Sequence, residues 1–310
     1  MITTGNSVCD PLRAILAARD AAVLAVIAGV RGPSYRPLGA TMAMLGDGSH
    51  TGSLSSGCVE ADIALHAARV LETGRPEIVS YGKDSPYVDI QLPCGGGLDI
   101  LLLPQPDCGV IADVVSNHEQ RQACTLSVDI DSGALSVTAS GETQRDDHRL
   151  SIRFEPDIAF QVFGKGPAAC TLAALVRSAG YPALLLSPDD ETLDAAASAG
   201  VETRRLLKPG YPGDLDADAR TAIVLLFHDH DWDPPILADA LRTPAFYIGA
   251  QGSRRARDAR VRALEDRGFG AAEIERVHGP IGLIPSARDA GTLAVSVLAE
   301  VLAAATTGRA

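Results

Sequence analysis

An unbroken apolar run, AAVLAVIAGV (21–30), predicts a strand covered on both faces, because a half-exposed strand would alternate with polar residues. A short helix at 10–19 leads into it. TMAML (41–45) predicts a second strand, and the turn GDGS (46–49) sends the chain back, since a D-G pair favours a tight hairpin. Val59, Ile63, Ala67 and Val70 then recur at helical spacing until Gly74 and Pro76 stop the helix. PEIVSYG (76–82) and LDILLLP (98–104) predict two more strands around a glycine cluster, LPCGGG (92–97). A helix at 107–120 and the hairpin CTLSVDI–DSG–ALSVTAS follow, and the polar stretch GETQRDDHR (141–149) marks the expected domain boundary. Residues 1–150 therefore predict a mixed α+β domain.

Beyond 150 the pattern changes. IAFQVFGKGPAACTLAALVRSAGYPALLLSPDD (158–190) alternates strand, glycine turn, helix and strand. TAIVLLF (221–227) ends at HDHDWD, and PAFYIGA (244–250) ends at QGSRR. Strands alternating with helices predict a Rossmann-like, doubly wound parallel sheet over 151–310. The whole chain thus reads as α/β in class.

Composition narrows the functions. The net charge of −12 disfavours nucleic acid as a partner, since phosphate backbones need a cationic surface. The run 21–30 is half the length needed to span a bilayer, and Glu300 breaks the C-terminal apolar stretch, so no membrane association is expected. The 6 cysteines lack CxxC spacing, and no basic-then-apolar leader opens the chain; a cytoplasmic protein with reduced thiols is expected.

Four constellations carry chemistry. GKGPAA (164–169) fits G-x-G-x-x-A after a strand, with Asp189 and Asp190 ending the next strand, as a pyrophosphate-binding turn requires. A Rossmann unit without dinucleotide affinity has the same signature. In QGSRR, Arg254 and Arg255 stand at a strand's carboxyl end as anion ligands, whereas Arg260, Arg262 and Arg267 read as a solvated face paired with Asp258 and Glu265. His228 and His230 form an H-x-H pair that would bind metal only if the strand continued, and Pro234 and Pro235 argue that it has ended; Asp229 or Asp231 then reads as a helix cap. Finally, with Ser56 as N-cap, Cys58 falls in the first turn of the helix, where the dipole favours thiolate, while Cys94 precedes three glycines whose amides suit an anion. Either cysteine alone reads first as a small buried residue, and two cysteines in two Gly-rich loops of one domain shift that balance toward chemistry.

Together, GPSYRPLGATMAM (32–44), GSLSSGCVEADI (52–63), CGGGLDILL (94–102), VFGKGPAA (162–169), FHDHDWDPPILADAL (227–241), YIGAQGSRR (247–255) and VHGPIGL (277–283) resemble the XdhC/CoxI family over nearly the whole length. The resemblance implies an accessory protein of molybdenum hydroxylases such as xanthine dehydrogenase. Such a protein binds molybdenum cofactor as cargo, supports its sulfuration with a cysteine desulfurase and delivers it to the apo-hydroxylase, with no turnover of its own; a homodimer is implied too. Cys58 becomes the leading contact to the cofactor and its metal, with Arg36, Ser53, Cys94 and Gly95 around it. Gly164, Gly166 and Arg254 would line a second site for a nucleotide or NAD(P). Ser56 stands where the family commonly has Gly, Lys165 and Pro167 replace a small residue and a His, and Ile284–Pro285–Ser286 replaces Asp–Ile–Gly. Two rivals stay open at this level: an NAD(P)-dependent oxidoreductase using GKGPAA with His228 or His230, and a scaffold that holds desulfurase and hydroxylase together.

Overall fold

The structure, a computed structural model, describes residues 2–3, 7–18, 21–55, 57, 59–82, 95–228 and 231–307. It divides into two compact units, Met1–Pro156 and Asp157–Ala310.

In the first unit, β1 (Ile2–Thr3) and α1 (Asp10–Ala17) precede the long β2 (Ala22–Arg31). Then come β3 (Thr41–Leu45), β4 (His50–Gly52), α2 (Glu60–Thr73), β5 (Glu77–Gly82), β6 (Gly97–Pro104) and α3 (Cys108–Glu119). Six strands form one sheet in the order β1-β4-β3-β2-β6-β5. A second sheet, β8-β7-β10-β9, uses β7 (Cys124–Asp129), β8 (Leu135–Thr138), β9 (Gln144–Arg145) and β10 (Arg149–Phe154). The polar stretch 141–149 lies within this second sheet, and the units divide after β10 because Arg149–Phe154 pair with Asp129–Cys124.

The apolar run of β2 has a direct physical reason. Val23, Ala25 and Ile27 pack with Met42, Ile100 and Leu102 and with Ile63 and Val70 of α2. Leu24, Val26 and Ala28 face the other way, onto Leu12, Ile111, Leu126 and Ile152 from α1, α3 and the second sheet. Each face of the central strand is a core, so neither tolerates polar residues.

The second unit is a doubly wound parallel sheet. Its elements are β11 (Ala159–Gly164), α4 (Pro167–Ser178), β12 (Ala183–Ser187), α5 (Asp190–Ser198), β13 (Glu202–Arg205), β14 (Thr221–Leu226), α6 (Asp233–Ala240), β15 (Tyr247–Ala250), α7 (Arg254–Glu265), α8 (Ala271–Ile274), β16 (Val277–His278) and α9 (Ala290–Thr307). The strand order β13-β12-β11-β14-β15-β16 is the 3-2-1-4-5-6 order of dinucleotide-binding folds. Val162, Val224 and Leu226 pack on α4 and α9, while Phe163, Ile223, Leu225 and Phe227 pack on Ile236 and Leu264 of α6 and α7. Glu300, which interrupts the apolar α9, accepts the Tyr247 hydroxyl at 2.7 Å and serves as an internal anchor.

Candidate functional site

Strand direction gathers most of the first unit's candidate residues. β2 is antiparallel to β3 and β6, β3 to β4, and β5 to β6. The carboxyl ends of β2, β4 and β5 and the amino ends of β3 and β6 therefore meet at one end of the sheet. The segments 32–40, 53–59 and 83–96 all leave from that end. They carry Arg36, Ser53, Cys58, Cys94 and Gly95, although Cys58, Cys94 and Ser56 themselves lie outside the described residues.

The described part of segment 53–59 is folded around one carboxylate. Glu60 is 6% exposed. Its Oε1 accepts the Ser53 hydroxyl at 2.9 Å and the Leu54 and Ser55 amides at 3.1 and 2.9 Å. Its Oε2 accepts the Ser55 hydroxyl at 2.6 Å and the Val59 amide at 3.2 Å. Burial pushes the carboxyl up, but the hydrogen bonds from Ser55 and Ser53 outweigh it and hold the group down at about 2. Ser55 Oγ also accepts the Val59 amide at 3.0 Å. The helix accordingly starts later than the Ser56 cap predicts: α2 begins at Glu60, with Val59 as its N-cap.

The glycine cluster has two different uses. A Cβ on Gly96 would run into the Pro33 carbonyl and stand 3.0 Å from that of Arg31, and a Cβ on Gly82 would meet the Gly96 carbonyl. Gly96 is thus small so that the segment after β2 can lie directly on it. Gly95 is different: its φ is +71° and none of the described residues stands within 4 Å of its Cβ direction. It is exposed beside this packed junction. Below it, Asp99 receives Arg31 Nη1 at 2.6 Å and the Ser80 hydroxyl at 2.6 Å, which overcome burial and leave its carboxyl below the usual range. Arg36 is half-buried and its Nε, shielded from solvent, has no hydrogen-bond partner among the described residues.

In the second unit the turn after β11 is tightly built. A Cβ on Gly164 would stand 2.9 Å from both Ala169 Cβ and the Leu226 carbonyl, so only glycine lets β11, α4 and β14 approach. Gly166 has φ +73° and is the N-cap of α4. Its amide donates to Thr192 Oγ1 at 2.8 Å, and the Thr192 hydroxyl donates in turn to Asp189. Asp189 is the N-cap of α5, accepting the Thr192 amide at 2.8 Å, and Asp190 pairs with Arg205. Both acidic residues ending the second strand thus have protein partners. Lys165 Nζ lies 5.8 Å from the centre of the Trp232 ring, which stacks on Phe227 with ring centres 5.5 Å apart. The crevice between β11 and β14, where such sheets bind ligands, is therefore spanned by an ammonium–indole contact.

Around QGSRR, Ser253 caps α7 through the Ala256 amide at 3.2 Å. Arg254 and Arg255 are exposed and make no ion pair among the described residues. Arg260 corrects the solvated-face expectation. It is 4% exposed, and its Nε donates to the fully buried Asp233 at 2.8 Å while Nη2 donates to the Gln251 carbonyl. Asp258 and Glu265 are not its partners. A single helix face read from sequence cannot reveal that α6 supplies a carboxylate opposite it. The helix α6 begins at Asp233 with Trp232 as N-cap, in place of the cap expected at Asp229 or Asp231. His228 is exposed and His230 lies outside the described residues; no cluster of metal-ligand side chains occurs among the described residues. Glu60, Lys165, Trp232 and the Arg260–Asp233 pair are the contributors that sequence reasoning missed as structural centres. The single tryptophan beside a strand end was the only sequence signal for any of them.

Comparison with known proteins follows both units. Residues 15–82 match the XdhC and CoxI family, and 160–301 match the XdhC Rossmann domain. The chain is 34% identical over 281 residues to the molybdenum cofactor insertion chaperone PaoD of Escherichia coli, covering 90% of this chain and 82% of that one. The chain belongs to the XdhC/CoxI family. A second family relative is a probable xanthine dehydrogenase subunit of Bacillus subtilis, 25% identical over 94% of this chain and 95% of its own length. In three dimensions the family fold recurs in the crystal structure of a xanthine dehydrogenase from Bacillus halodurans. The TM-score is 0.80 over 97% of this chain and 96% of that one, at 18% identity. No helix among the described residues is long and apolar enough to cross a membrane.

Proposed function

We propose that this protein is a molybdenum-cofactor maturation chaperone. It binds the cofactor as cargo at the loop end of the first unit's six-stranded sheet and delivers it to an apo-hydroxylase of the xanthine dehydrogenase type. The observation that carries this reading is that the carboxyl ends of β2, β4 and β5 and the amino ends of β3 and β6, which bound segments 32–40, 53–59 and 83–96, lie at one end of that sheet. The function of the PaoD relative supports it. The cargo is a polyanion bearing a phosphate and a soft, dithiolene-bound metal. Arg36 Nε, unpartnered among the described residues, and the left-handed backbone at Gly95 suit the anionic part, and a thiolate at Cys58 or Cys94 suits the metal. Ser53 belongs to the same end but already donates to Glu60, so its part is to shape the loop. Sulfuration assisted by a cysteine desulfurase, a homodimeric state and a cytoplasmic location complete the proposal.

The decisive experiment is anaerobic titration with molybdenum cofactor, comparing wild type with Cys58→Ala and following reconstitution of an apo-hydroxylase. Binding and reconstitution should both drop in the variant while its melting temperature holds. Unchanged binding and reconstitution would remove Cys58 from the site.

A nucleotide or NAD(P) site at Gly164, Gly166 and Arg254 is the second reading, favoured by the 3-2-1-4-5-6 strand order. It ranks below the first. The Gly166 amide is already committed to Thr192, and Lys165 lies across the crevice toward Trp232. Titration with NAD and NADP, run in parallel, tests it directly; saturable binding with a nicotinamide-linked absorbance change would move the assignment to an oxidoreductase.

A further inference from the structure

The second unit contains a cavity of about 340 Å³ between α7, α8 and β16, on the sheet face away from α4 and α9. It falls at the small end of the range for ligand sites, about 300–1,000 Å³. Val261, Leu264, Ile274 and Val277 give it an aliphatic wall, and Arg257, Glu265, Glu275 and His278 supply its polar side. Arg260 lines it as well, although that residue is 4% exposed. The Arg260 guanidinium is only partly used: Nε serves Asp233 and Nη2 serves the Gln251 carbonyl. Nη1 makes no hydrogen bond among the described residues and lies 4.0 Å from the point where a Cβ on the cavity-lining Gly279 would stand. Nη1 keeps access to solvent at the cavity wall, so it offers a charge-assisted donor that an entering acceptor can take in place of water.

We propose that this cavity binds a small organic carboxylate, with its planar anionic group on Arg260 Nη1 and its apolar body against Val261, Leu264 and Ile274. Arg257, one turn earlier on α7 and at the exposed rim, gives the entry a second guanidinium. A monoanion suits the site better than a dianion, because Asp233 already neutralises Arg260 and the exposed Glu265 and Glu275 also line the cavity. An apolar body is required because four aliphatic side chains surround the donor. The crevice at Lys165 supplies none of the lining residues.

The test uses the full chain and benzoate as probe, with benzyl alcohol as its uncharged counterpart, followed by saturation-transfer NMR and titration calorimetry. Benzoate should bind with a dissociation constant of about 0.1–5 mM, as a nine-heavy-atom ligand permits. Benzyl alcohol should bind at least about tenfold more weakly, the loss of a charge-assisted bond. Ala271→Trp, at an exposed lining position, should fill the entry and abolish benzoate binding without changing the melting temperature. Arg260→Lys should weaken benzoate but not benzyl alcohol; should that variant melt early, Ala271→Trp decides the matter alone. No saturable benzoate binding, equal affinity for the alcohol, or unchanged binding in Ala271→Trp would overturn the proposal.

Discussion

Glu60 Oε2 accepts the Ser55 hydroxyl at 2.6 Å, and that hydroxyl oxygen accepts the Val59 amide at 3.0 Å, so one carboxylate ties the segment after β4 to the start of α2. The cost of burying the charge is offset by the five donors it accepts from. Because the loop and α2 share this group, its shape is tied to the packing of Ile63 and Val70 beneath it.

Replacing Glu60 by Ala strands those donors and should destabilise the chain by about 2–3 kcal/mol. Glu60→Gln keeps the shape but must turn one end of the side chain into a donor, so it should lose somewhat less. Urea melts of both variants measure the loss. Cofactor titration should show the loop's contribution as weaker binding in Glu60→Gln even where the fold survives.

The same group sets a pH dependence. Its carboxyl is lowered from 4.5 to about 2 in the folded chain, so the unfolded chain takes up the proton first. Its stabilisation is complete above pH 4.5 and disappears as pH falls toward about 2. Wild type minus Glu60→Gln, melted at intervals through that window, should show a stability difference that shrinks with acid. A difference that stays flat would mean that the carboxylate is not ionised in the fold.

Gly95 and Gly96 should behave oppositely. Gly96→Ala forces a Cβ into the Pro33 carbonyl and should cost about 2–3 kcal/mol by overpacking. Gly95→Ala meets no atom of the described residues and should cost about 1 kcal/mol, from its left-handed backbone. Thermal melts separate the two, and similar losses would contradict the close approach of residues 33 and 96.

Asp233→Ala should be among the most damaging substitutions in the second unit, at about 3–5 kcal/mol, since it leaves the Arg260 charge buried and uncompensated. Replacing both partners with apolar residues of similar volume, as in Asp233→Leu with Arg260→Met, should recover most of that loss. A double-mutant cycle on urea denaturation gives the coupling.

The protein has a single tryptophan, so emission at Trp232 reports on the crevice directly. Removing the ammonium in Lys165→Ala should open the indole to acrylamide quenching while changing stability by less than about 1 kcal/mol. If quenching is unchanged, Lys165 does not span the crevice in solution.

The sequence by itself determined the order of elements and the class of each half. The continuous apolar run of β2 and the alternating strand–helix pattern with its glycine turns after 158 are local signals, written in residue spacing. It also marked Gly164 and Gly166 as a glycine turn between strand and helix, whereas the close approach of Ala169 and Leu226 to Gly164 is a structural finding. Tertiary structure decided which side chains face one another. Arg260 lies on a helix whose other arginines are exposed, and only the approach of α6 brings Asp233 within 2.8 Å of it. Glu60 is an ordinary first-turn acid in sequence, and only the return of residues 53–55 over it makes it an acceptor for five donors. The convergence of Arg36, Ser53 and Gly95 follows from the antiparallel pairing of β2, β3, β4, β5 and β6. Periodicity fixes which face of an element is apolar, but it holds no information about which distant element covers that face.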